Sequence, residues 1–91
     1  MNRADAYKLL ARELESWRLL PQVELTRRVG LAPIRSSSEV AGEELLVGVC
    51  ARWDNAAQDA VRVDAVAYGP NHLRTERLEE SITVQLTPVT K

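Results

Sequence analysis

Ninety-one residues, 45% of them hydrophobic and 27% charged, describe one small globular domain, 1–91, and exclude a disordered or collagen-like chain. Lys and Arg number 12 and Asp and Glu 13, a net charge of −1. With aromatics at 4% and no Phe, neither a basic stripe nor a base-stacking platform is present, so nucleic acid is not an expected partner.

Cys50 is the one cysteine, so no internal disulfide can form, and a cytoplasmic location is expected. The opening Met1-Asn2-Arg3-Ala4-Asp5 is charged where a signal peptide would be apolar. The apolar run Leu45 to Val49 around Gly48 is far too short to span a membrane, and no membrane contact is expected. Only Lys8 and Lys91 among the basic residues are lysine. That Arg bias, with much Ala and Val, points to a GC-rich bacterial genome.

Residues 3–18 read as an amphipathic helix. Tyr7, Leu10, Ala11, Leu14 and Trp17 recur at spacings of three and four, and Asn2 is a candidate N-cap. Pro21 stops the helix. Residues 22–29 then alternate, with Val23, Leu25 and Val29 on one side, which predicts a first strand interrupted by Arg27. Residues 30–42 hold Pro33, Ser36-Ser37-Ser38 and two glycines, and read as a loop. Ser36 and Glu39 are spaced to cap one short helical turn within it.

Residues 44–54 are the strongest strand, with Leu45, Val47, Val49, Ala51 and Trp53 on one face. A turn over 54–59 leads to a strand at 60–68, with Val61, Val63, Ala65 and Ala67 on one face. Gly69-Pro70-Asn71-His72 is a second turn. The last strand, 77–87, carries Leu78, Ile82, Val84 and Leu86, and Pro88 ends it. A hairpin centred on Ala57 sets Trp53 against Val61, Ala51 against Val63, Val49 against Ala65 and Val47 against Ala67. Val63 then meets Ile82, and Val29 meets Val47.

These elements predict an α+β domain: one N-terminal helix packed on a four-stranded antiparallel meander sheet, in the order α-β-β-β-β. Ala51, Ala65 and Ala67 leave room for the helix to approach. The order resembles the cystatin-like arrangement, in which a curved sheet wraps one helix. The resemblance is of fold alone: the Gln-x-Val-x-Gly and Pro-Trp hairpins of inhibitory cystatins are missing, so protease inhibition is not inferred.

The chemistry is sparse. His72 sits in a turn and Cys50 mid-strand, so neither partners the other as nucleophile and base. With one His and one Cys, no metal site is expected, and no Gly-rich phosphate loop implies a cofactor. No catalytic residues are assigned. On the outer face of the sheet, Leu46, Cys50, Val66 and Tyr68 form an apolar island ringed by opposite charges, a candidate contact for a protein partner or a second copy. Two charges, Arg27 and Glu80, have the parity of the inner face. In the expected register they end the row Arg27–Val49–Ala65–Glu80, and with Trp17 and Trp53 they make a candidate pocket between helix and sheet. The expected function is protein–protein contact by a non-enzymatic domain, with a small-molecule binder or minor enzyme as the alternative.

Overall fold

The computed structural model describes residues 3–40, 42–69 and 77–87. Helix α1 spans Arg3–Arg18 and is followed by a short helix α2, Gln22–Arg27. Four strands complete the chain: β1 Ile34–Val40, β2 Glu43–Trp53, β3 Ala60–Tyr68 and β4 Arg77–Gln85. They form one antiparallel sheet in the order β1-β2-β3-β4. The N-terminal helix packs on that sheet, as the periodicities predict.

The register of the strong strands follows from their alternation. Trp53 pairs with Val61, Ala51 with Val63, Val49 with Ala65 and Val47 with Ala67. Val63 pairs with Ile82 and Val61 with Val84. A slip of one residue would turn every one of these side chains out of the core. Val47, Val49, Ala51, Val61, Val63, Ala65 and Ala67 are buried on this inner face. Helix α1 covers it mainly over β3 and β4, where Ala65 and Ala67 allow close approach.

The buried stripe of α1 is Ala6, Leu10, Leu14 and Trp17. Tyr7 is 41% exposed and Ala11 is exposed, so the helix is rotated from the expected Tyr7–Ala11 face. The physical reason is clearance: small Ala6 lets the helix lie close to the sheet, and bulky Tyr7 is left at the margin. Asp5 in the first turn and Arg18 in the last suit the helix dipole.

Residues 22–40 depart from expectation. Residues 22–29 are not a strand. Pro21 is the N-cap of α2, and its carbonyl accepts from Glu24 N and Leu25 N at 3.0 Å each. Leu25 and Val29, four apart, satisfy a helical spacing as well as an alternating one. Leu25 is fully buried, whereas Val23 is 67% exposed. Thr87 and Gln22 exchange hydrogen bonds, the Gln22 amide donating to the Thr87 carbonyl at 3.3 Å, so the segment just after β4 holds the start of α2. Val29 does not pair with Val47. It makes an isolated parallel bridge to Ala51, where Gly30 N donates to the Ala51 carbonyl at 3.1 Å.

The expected loop contains β1, and Ser36 and Glu39 cap no helical turn there. Three serines are poor strand formers, but the far edge of β2 offers an unpaired ladder that overrides the propensity. Val40 pairs with Glu43, leaving a two-residue connection in which Gly42 takes φ +81°. Such a hairpin needs a positive φ, and glycine supplies it without a Cβ clash. The second hairpin is closed by Asp54 N to the Ala60 carbonyl at 2.9 Å and by the Asn55 amide to Asp59 at 2.6 Å. The predicted Gly69–His72 turn lies outside the described residues beyond Gly69 itself.

Candidate interaction surface

Helices α1 and α2 place Ala6, Leu10, Leu14, Trp17 and Leu25 in the inner-face core, and the outer face carries neither helix. Leu46, Cys50, Val66 and Tyr68 lie on that outer face, each half-buried. Leu46 pairs with Tyr68, and Gly48 with Val66. A Cβ placed on Gly48 would lie 3.5 Å from Val66 Cγ1, so its absence leaves a shallow hollow beside Val66. The structure thus brings the four island residues together around Gly48. Sequence parity alone could have singled out that glycine.

The rim is charged and internally paired. Arg52 and Arg62 lie opposite each other on β2 and β3, and both reach Asp64, at 3.2 and 3.0 Å. Arg77 pairs with Glu79 at 2.8 Å on β4. Like charges directly across a sheet repel, and Asp64 between the two arginines offsets that. An open groove of about 550 Å³ runs over Gly48, Cys50 and Val66 to this rim. The apolar centre thus lies inside a polar rim on this face.

The candidate inner pocket is not assembled as expected. Because 22–29 is not a strand, Ile34 takes the place of Arg27 in the row with Val49, Ala65 and Glu80. Arg27 is exposed on α2, 3.4 Å from Glu24. Trp17 is core, with the Arg28 guanidinium 4.7 Å from its ring centroid. Trp53 is half-buried at the end of β2 and packs against the core. Glu80 is exposed and lines a separate groove of about 480 Å³ between α1 and β4, with Tyr7, Ala11, Leu14, Glu15 and Ile82.

Cys50 is a free thiol mid-strand on the outer face. His72 lies outside the described residues. Among the described residues no three His, Cys, Asp or Glu side chains gather as metal ligands, and no helix is long and apolar enough to cross a membrane. Titration is perturbed at the exposed end of α1. There the hydrogen bond from Arg18 holds the Glu15 carboxyl below its ordinary range and raises Arg18 in return.

Comparison with known proteins leaves this surface to be read on its own chemistry: no family model matches the chain, and no curated protein or solved structure matches it significantly.

Proposed function

We propose that this chain is a non-enzymatic domain that acts by protein–protein contact through the outer face of its sheet. The observation that carries the reading is the half-buried cluster Leu46, Cys50, Val66 and Tyr68 on a face that neither helix covers. The reading includes a cytoplasmic setting in a bacterium, supported by the single cysteine and the preference for Arg over Lys. A photoreactive side chain at position 66 tests it in the host cell. Covalent protein adducts are expected from position 66 and not from position 12, on the exposed side of α1. Equal adduct yield at the two positions would overturn the reading.

The second reading is a small-molecule binder using the groove between α1 and β4, favoured by its apolar wall of Tyr7, Leu14 and Ile82 beside Glu80 and Glu15. A ligand held there raises the melting temperature by mass action, and Leu14 at its floor ties binding to folding. Thermal scans against a panel of small cations and amines test it. No shift with any member would count against ligand binding beside Glu80 in this groove.

A further inference from the structure

Strand β1 is an edge of the sheet: it pairs with β2 on one side, and no described residue pairs with its other side. An edge of this kind offers a row of free backbone donors and acceptors, and proteins normally blunt it with proline, charged side chains or a bulge. Strand β1 has no proline and no bulge, and its two charges, Arg35 and Glu39, are opposite in sign. Its residues are Ile34-Arg35-Ser36-Ser37-Ser38-Glu39-Val40, and its register with β2 runs through all seven without a slip.

The segment is complementary to itself when reversed. Laid antiparallel about Ser37, it sets Ile34 opposite Val40, Arg35 opposite Glu39, Ser36 opposite Ser38 and Ser37 opposite Ser37. Shifting the pairing by two residues either way destroys the charge match. Shifting by one would turn the second sheet over, since directly opposed residues share a face.

Among the described residues, the charges that would meet lack suitable partners. Arg35 is exposed, lies opposite Gly48, and has no ion pair among the described residues. Glu39 is exposed and lies directly opposite Glu44, a like-charge cross-strand pair. Ile34 is 50% exposed at the start of the strand. Helix α1 packs mainly over β3 and β4, at the other side of the sheet from this edge.

We propose that two copies of this chain associate by antiparallel β1–β1 pairing about a twofold axis at Ser37, joining their sheets into one of eight strands. Each Arg35 then sits opposite the Glu39 of the second copy and offsets that residue's repulsion from Glu44. The backbone ladder supplies affinity, and the two Arg–Glu pairs set the register. Both outer faces fall on the same side of the joined sheet, so the surface bearing Val66 is doubled. The β1 edge is a different surface from the outer-face contact, and the pairing does not rest on that contact.

Charge reversal tests it with the purified chain. Wild type is expected at twice its 10.2 kDa mass in sedimentation equilibrium, and high salt weakens it. Arg35→Glu alone and Glu39→Arg alone each turn two attractions into two repulsions, which weakens pairing about tenfold or more. Mixing the two single variants restores a dimer, because position 35 of each copy then faces the opposite charge at position 39 of the other. Both sites are exposed, so circular dichroism should stay unchanged. As an independent readout, Ser37→Cys in a Cys50→Ser background oxidises to a covalent dimer, since directly opposed residues lie roughly 4.5–5.5 Å apart at Cα, within disulfide reach. A wild-type monomer at millimolar concentration, or single variants that pair as wild type does, would overturn the proposal. Either result leaves the adducts at position 66 unaffected, so the two ideas fail separately.

Discussion

The Arg28 guanidinium stacks over the Trp17 ring at 4.7 Å, joining the C-cap of α2 to the last turn of α1. Trp17 is 5% exposed, so the cation covers the outer edge of a core residue. Glu24, 3.4 Å away and four residues back, holds the same guanidinium from the other side. This contact closes the corner that Pro21 opens. Arg28→Ala should lower stability by about 0.5–1 kcal/mol in denaturant titration. Arg28→Leu, which keeps cover over the ring without the charge, should recover part of that loss.

Core truncations should probe the two helices separately. Leu14→Ala on α1 and Leu25→Ala on α2 remove side chains that are 3% and 0% exposed. Each should cost about 2–5 kcal/mol, from lost burial and the cavity left behind. A near-zero change at position 25 in the denaturant midpoint would mean that α2 does not seal the end of the inner face.

Two glycines should respond in opposite directions. Gly42 holds φ +81° in the β1–β2 turn, so Gly42→Ala forces an L side chain into left-handed backbone at a cost of about 1–2 kcal/mol. Gly48 has no such φ, and its new Cβ would meet Val66 Cγ1 at an ordinary 3.5 Å. Gly48→Ala should therefore stabilise by about 0.4–1 kcal/mol through the unfolded state. Thermal melts of the two variants check the sign. Gly48→Ala also fills the outer hollow, so it should reduce adduct formation from position 66 if that hollow receives a partner side chain.

Acidification should loosen the end of α1. The hydrogen bond and charge of Arg18 depress the Glu15 carboxyl, so the pair contributes fully above the ordinary carboxylate value. That contribution is lost as pH falls through the depressed folded value. Both groups are exposed, so the effect is small and screened by salt. Glu15→Gln should flatten this part of the melting temperature against pH, most visibly at low ionic strength.

Cys50→Ser should leave the fold intact, because the thiol is only half-buried and on the outer face, not in the α1-covered core. Far-UV circular dichroism and the denaturant midpoint check this. A loss of more than about 2 kcal/mol would place the side chain in a packed environment that the sheet face does not provide.

Much of the fold is written locally. The 3.6-residue recurrence of Leu10, Leu14 and Trp17 specifies α1, and the strict alternation of Val47–Trp53 and Val61–Ala67 specifies β2, β3 and their register. These segments each bury one full face, so their periods are unambiguous. The outer island of Leu46, Cys50, Val66 and Tyr68 follows from the same parity, because whatever is not inward must be outward.

Residues 22–40 were decided by tertiary structure. Six residues after Pro21 are too few to distinguish two periods, and Leu25 buries equally well from a helix or a strand. The helix forms because Pro21 starts it, Leu25 must reach the core, and Val29 must reach Ala51 near the end of β2. The serines of β1 carry no apolar alternation, so nothing local marks them as a strand. They pair because β2 is 11 residues long and its far edge needs hydrogen-bond partners. Arg27 leaves the inner face for the same reason: once β1 holds that edge, Ile34 takes the place beside Val49, and the guanidinium stays in solvent.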